Sequence, residues 1–232
     1  MPMPLVLYGH PLASFCHKVL IALYENGTPF EDRLVDLSDE GSRAELFRYW
    51  PVGKMPILRD EARDSTIPET SIIIEYLDRH YPGEAHLLPL DPDRALQVRL
   101  WDRFFDLYIQ TPMQKIVADK MRAADAKDPQ GESEARVTLA MAYDMIERQL
   151  ANSLWITGDS FTMADCAAAP ALFYSETLVP FGAERPKLSA YYERLVHRPS
   201  FARVLKEALP YFKFYPYKHQ LPEAIRKAMP AE

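Results

Sequence analysis

The sequence predicts a small α/β domain followed by an all-α helical bundle domain. Three observations carry that prediction. Strand-like and helix-like segments alternate over residues 4–80. After Asp93 the strand signals vanish and only helical periodicity remains. Between the two regimes, Pro82-Gly83, Pro89 and Pro92 interrupt any regular pattern. The chain is therefore divided into a first domain over 1–82, a linker over 83–93 and a helical domain over 94–232.

The elements follow in order. Residues 4–8 (PLVLY) are a short apolar run bounded by Gly9 and Pro11, which reads as a buried strand. Residues 14–26 read as a helix that stops at Asn26-Gly27. Residues 30–35 read as a second strand and 42–49 as a short helix. Residues 56–59 (PILR) form a third strand, with 64–67 as its hairpin partner. Residues 69–80 (ETSIIIEYLDRH) form a helix with Ile73, Tyr76 and Leu77 on one face. The order is β-α-β-α-β-β-α, a parallel βαβ unit followed by a hairpin and a helix. In the second half, 94–109, 113–124, 132–152, 163–178, 188–198 and 201–208 read as helices.

Composition narrows the functional classes. Of 232 residues, 48% are hydrophobic and 26% charged, the balance of a folded globular chain. The net charge of -6 and a sequence pI of about 5.6 argue against nucleic-acid binding, which needs a basic face. No apolar run reaches the roughly 20 residues that span a bilayer, and MPMPLVLYG does not read as a signal peptide. Two cysteines, Cys16 and Cys166, suit a reducing, cytoplasmic compartment better than a disulfide framework. The chain carries 20 Pro against 8 Gly, an excess whose placement is informative.

Three segments of the first domain carry chemistry. Residues 8–19 (YGHPLASFCHKV) run from strand through loop into a helix opening Ala13-Ser14-Phe15-Cys16. Free N–H groups and the positive dipole end favour an anion there, and a thiolate is one. Ser14 has two readings, a hydroxyl serving that anion and a plain helix cap. The spacing resembles the C-x-x-C turn of thioredoxin-like redox proteins with Ala13 in place of the first cysteine, which speaks against a dithiol mechanism. In Gly53-Lys54-Met55-Pro56, a proline opens a strand. Either it is an ordinary trans turn, or a cis bond turns the backbone of Met55 outward to pair with a peptide ligand. In Pro68-Glu69-Thr70-Ser71, a carboxylate suits a ligand ammonium, while the hydroxyls and helix-start amides suit a ligand carboxylate. The competing reading is helix capping.

These segments, in this order, resemble the cytosolic glutathione transferase family of the bacterial serine/cysteine-like type. A fourth match is Phe161-Thr162-Met163-Ala164-Asp165-Cys166, which resembles the family's folding motif and reads on its own as a capping box. The resemblance covers essentially the whole chain and implies a thioredoxin-like first domain. It implies a homodimeric cytoplasmic detoxification enzyme that joins glutathione, its co-substrate, to small hydrophobic electrophiles without a metal. Alternatives on the same fold are a glutathione-dependent isomerase or dehalogenase, and a non-catalytic glutathione-binding or regulatory protein. Carried over residue by residue, Met55 and Pro56 would bind the cysteinyl backbone of glutathione, Glu69 and Thr70 its γ-glutamyl end, and Lys54 its glycyl carboxylate. The family's catalytic side chain falls at Ala13, which cannot donate a hydrogen bond. Ser14 is the substitute, with Tyr8 and Cys16 as further candidates and the helix-start amides sharing the work. The electrophile pocket would be lined by Phe105, Tyr108 and Met113, with Phe104, Phe173 and Tyr174 nearby. The aromatic tail over 211–217 (YFKFYPY) would roof it.

Overall fold

The computed structural model describes residues 4–230. The first domain contains β1 (Leu5–Gly9), α1 (Ser14–Glu25), β2 (Glu31–Leu34), α2 (Glu40–Tyr49), β3 (Ile57–Asp60), β4 (Ser65–Pro68) and α3 (Thr70–His80). The strands form one sheet in the order β2-β1-β3-β4. β1 and β2 are parallel, while β3 runs antiparallel to both β1 and β4. Every residue of β1 is buried, as expected of a strand covered on both faces. Leu5 and Leu7 pack with Val19, Ile21, Ile73 and Leu77 of α1 and α3. Val6 and Tyr8 point to the other face, against Leu46 of α2 and Ile57. This is the predicted thioredoxin-like arrangement, followed by an all-helical domain.

The second domain contains α4 (Pro92–Phe104), a π-helical turn (Phe105–Gln110), α5 (Thr111–Met121), α6 (Pro129–Gln149), α7 (Met163–Glu176), α8 (Pro186–Val196), α9 (Pro199–Ala208) and α10 (Glu223–Ala228). Its central member is α7, buried from Met163 to Ser175 and packed against α1, α4 and α8. One hydrophobic core runs from the sheet into this bundle.

Beyond small shifts at element ends, four differences between the sequence reading and the structure have a physical reason. The predicted break between 109 and 113 is absent, since α4 continues into α5 through the π-helical turn. Pro112 lacks an N–H and would ordinarily stop a helix. The wider turn accommodates it, and Thr111 Oγ1 donates to the carbonyl oxygen of Asp106 at 2.8 Å. Second, α5 ends at Met121 rather than 124, where Lys127 Nζ caps the carbonyl oxygens of Asp119 and Lys120. Third, α4, α6, α8 and α9 each begin about two residues early because a proline sits in their first turn. Asp91 and Asp128 cap two of these starts by accepting from Arg94 N and Gly131 N, both at 2.8 Å. Fourth, the aromatic tail is anchored more than it roofs. Phe212 is sealed against Phe173 and Tyr174, and the Tyr215 hydroxyl pairs with Thr177 at 2.8 Å.

Candidate functional site

The strand register gathers the sequence motifs at one edge of the sheet. Tyr8 of β1 faces Ile57 of β3, and Ile57 faces Pro68 of β4. The end of β1, the start of β3 and the end of β4 therefore lie in one row. The loop into α1 leaves from the first, Met55–Pro56 enters the second, and Glu69-Thr70 follows the third.

The Met55–Pro56 peptide bond is cis, so the trans reading is set aside. Met55 precedes the first ladder pair and is half-buried, while Lys54 beside it is exposed and Pro56 is buried. Glu69 has φ 69° and ψ 118°, a conformation that costs a non-glycine residue about 1–3 kcal/mol. Its side chain is exposed and makes no cap bond to α3. Thr70, next to it, is buried.

Ser14 does not cap α1. Ala13 holds that position, and no side chain caps the helix. The positive ends of α1 and α3 thus meet the same edge of the sheet without a capping side chain on either, which suits an anionic ligand. Ser14 is the first residue of α1 and is buried, and its Oγ accepts from Nε2 of Gln110 in the π-helical turn.

The other two candidates are placed away from this role. Tyr8 lies on the α2 face, where its hydroxyl donates to Glu45 at 3.1 Å. Burial, then Tyr49 and Glu45, raise its phenol well above the usual range, so it stays protonated. Cys16 is free and buried, and burial pushes its thiol up to about 12. Its sulfur accepts from the amide of His10 at 3.5 Å, a structural contact. Beside it, a cleft of about 20 Å³ lined by His10, His17 and Ala208 has room for one water molecule.

Sequence reasoning missed the buried polar groups opposite α1. Lys18, one turn beyond Ser14, reaches Asp102 at 2.7 Å and Asp106 at 2.9 Å. It also donates to Ser71 Oγ at 3.0 Å, and Ser71 donates to Asp102 at 2.5 Å. Ser71 is therefore committed to the domain interface rather than to a ligand carboxylate. Burial raises the Asp106 carboxyl, with Lys18 opposing and Asp102 adding to the rise. The i, i+4 spacing of Ser14 with Lys18 and of Asp106 with Gln110 was the available signal. It is hidden because polar residues at that spacing normally face water.

Of the proposed pocket residues, Phe105 and Met113 are sealed in the core. Buried among the helices, they present no surface to an open pocket, a correction to the sequence reading. Tyr108 is 45% exposed and packs against Phe104, the rings tilted by 47° with centroids 5.3 Å apart. Tyr211 meets the edge of the His10 ring at 5.5 Å, so the tail touches the loop into α1 at one point. Among the described residues, no group of three or more His, Cys, Asp or Glu is arranged to hold a metal ion. No helix among them is long and apolar enough to cross a membrane.

Comparison with known proteins bears on the family and the fold. The family model for the glutathione S-transferase N-terminal domain matches residues 7–85, and that for the C-terminal domain matches 122–194. A glutathione S-transferase of Pseudomonas putida is 28% identical over 210 residues, covering 88% of this chain and 92% of that protein. A stringent starvation protein A homolog of Histophilus somni is 28% identical over 211 residues, covering 89% and 92%. Among solved structures, a Methylobacterium radiotolerans glutathione S-transferase in complex with glutathione sulfonate is 28% identical with a TM-score of 0.75, covering 86% of this chain and 93% of that one. A Methylobacillus flagellatus glutathione S-transferase with glutathione bound shares the fold at a TM-score of 0.80 and 23% identity, covering 86% and 98%.

Proposed function

The chain belongs to the glutathione S-transferase family, and on that footing we propose that it conjugates the thiolate of glutathione to small hydrophobic electrophiles. The observation that carries the reading is the strained Glu69 at φ 69°, in the same row as the cis Met55–Pro56 turn and the uncapped end of α1. Strain of this kind persists where function needs the geometry. Glu69 pairs with the γ-glutamyl ammonium of glutathione, and Thr70 and the α3 amides with its carboxylate. The backbone of Met55 pairs with the cysteinyl unit, and Lys54 meets the glycyl carboxylate. The structure of a Methylobacterium radiotolerans relative with glutathione sulfonate supports that choice of ligand.

The thiol then falls at the start of α1. Its ordinary pKa of about 8.5 leaves it mostly protonated at neutral pH. The amides of the first turn and the Ser14 hydroxyl favour the thiolate, and its proton leaves to solvent. A shift of two units needs about 2.7 kcal/mol, within reach of one charge-assisted hydrogen bond of about 1.5–3 kcal/mol plus the helix end. The sulfur lone pair forms the C–S bond to the electrophile as the bond to a leaving group breaks. With an aryl chloride, chloride departs with the bonding pair.

One observation favours a second reading. Ala13 removes the hydroxyl from the family's catalytic position, and Ser14 beside it is buried. A glutathione-binding protein without turnover fits this equally in geometry. The similarity to a stringent starvation protein A homolog, a protein not named as a transferase, supports keeping it.

Under either reading the protein is a cytoplasmic homodimer. Ile72 of α3 and Leu96 and Leu100 of α4 are exposed around the Glu75–Arg99 ion pair, and a second copy of the chain would cover them. Sedimentation should give twice the chain mass. Retention on immobilised glutathione, followed by turnover of a chlorodinitrobenzene, tests the function. Binding with turnover is expected. Binding without turnover selects the second reading, and failure to bind overturns both.

A further inference from the structure

We propose that Gln110 is a positioning residue for the reaction, its side-chain amide holding the Ser14 hydroxyl so that the serine proton is free to donate to the glutathione sulfur. This rests on the reading of Ser14 as the thiolate's hydrogen-bond donor.

Gln110 is buried, as is Ser14. Nε2 of Gln110 donates to Oγ of Ser14. A hydroxyl has one proton and two acceptor sites. Because Ser14 accepts from Gln110, its proton is not consumed by that bond. An acceptor at the same place, such as a carboxylate, would take the proton away from the sulfur. The type of atom facing Ser14 therefore decides whether the hydroxyl can act.

Two further features show a built arrangement. Among the described residues Gln110 Oε1 has no hydrogen-bond partner, so the one hydrogen bond of its side-chain amide is that to Ser14. Gln110 also closes the π-helical turn, a rare element that is frequent at functional sites. The turn is anchored one helical step away, where Lys18 of α1 grips Asp106 at 2.9 Å and Asp102 at 2.7 Å. Ser14 with Gln110, and Lys18 with Asp106, form two rungs of one ladder between α1 and the second domain. The ion cluster sets the position of the turn, and the turn presents the amide to Ser14.

The test uses the full-length protein and glutathione itself, with the bound thiol titrated by ultraviolet absorbance. Gln110→Met keeps the length of the side chain and removes the donor. It is expected to leave about tenfold less thiolate at neutral pH and to lower kcat in proportion. KM for glutathione, affinity for S-methylglutathione and thermal stability should stay near those of the parent, and the rate should recover at high pH. Because Gln110 acts through Ser14, adding Gln110→Met to Ser14→Ala should cost nothing further. Gln110→Glu retains the shape and faces Ser14 with an acceptor when ionised. It is expected to match Ser14→Ala above the carboxyl's pKa and to recover toward the parent below it.

The outcomes separate the two claims. If Ser14→Ala raises the thiol pKa while both Gln110 variants titrate like the parent, the Ser14 reading stands and the role of Gln110 is overturned. Additive losses in the double variant overturn positioning through Ser14. A parental thiol titration in Ser14→Ala removes Ser14 as the donor and this proposal with it.

Discussion

At the scale of single residues, burial decides which ionisable groups can do chemistry. Cys16 sits in the motif where a reactive thiol would be looked for, but its pKa of about 12 keeps it a thiol. His17 follows the same physics with the opposite charge. It is fully buried, its Nε2 lies 2.6 Å from the carbonyl oxygen of Pro11, and burial holds its imidazole down at about 4. The unfolded chain has the ordinary value of about 6.5, so between those values the unfolded state binds the extra proton. Stability is therefore expected to fall by roughly 3 kcal/mol as pH drops from about 6.5 toward 4. Urea titrations at both pH values should show this loss shrinking in His17→Gln, and identical losses in the two proteins would remove His17 as its source. The motif around these residues was legible in sequence. Their inertness was not, because it comes from neighbours on α7 and α9.

At the scale of elements, prolines and caps set the boundaries. Prolines occupy the first turn of α4, α5, α6, α8 and α9, which accounts for part of the excess of 20 Pro over 8 Gly. A missing N–H costs nothing there, since those amides have no intrahelical acceptor. The start of α7 shows the strongest cap. Asp165 accepts from Thr162 N at 2.8 Å, Thr162 Oγ1 at 3.0 Å, Ile156 N at 3.1 Å and the Tyr191 hydroxyl at 2.6 Å. The spacing of Thr162 and Asp165 announced the capping box, but the bonds to Ile156 and Tyr191 required the fold. Thr162→Ala is expected to cost about 1 kcal/mol. Asp165→Ala, which orphans several buried donors, should cost about 3 kcal/mol or more. Denaturant unfolding of the two variants checks the order, and equal losses would reduce Asp165 to a local cap.

At the scale of the whole molecule, the two domains are joined by a continuous core and by a buried ion cluster at Lys18. Lys18 faces two carboxylates, Asp102 and Asp106, and the three make a network that is costly to break. Lys18→Met is expected to destabilise the protein by about 3–5 kcal/mol, because it leaves buried carboxylates uncompensated. Replacing Asp106 by leucine in the same chain should recover part of that loss. A double variant as unstable as the single one would show that packing of the Lys18 stem, rather than charge, is at stake. The aromatic tail belongs to this scale too. Phe212 and Tyr215 are core residues at the junction with α7, so the tail holds the helical domain together.

The sequence by itself determined the change from α/β to all-α text, the order of the elements and the motifs that form the candidate site. Those are local matters: hydrophobic period, turn residues and helix-start chemistry are written in neighbouring positions. Only the tertiary structure decided which polar side chains meet each other. Ser14 meets Gln110 across 96 positions of sequence, and Lys18 meets Asp106 across 88. Such pairings depend on how the helical domain docks on α1. No local pattern encodes that docking, because in the unfolded chain these groups have only water as a partner.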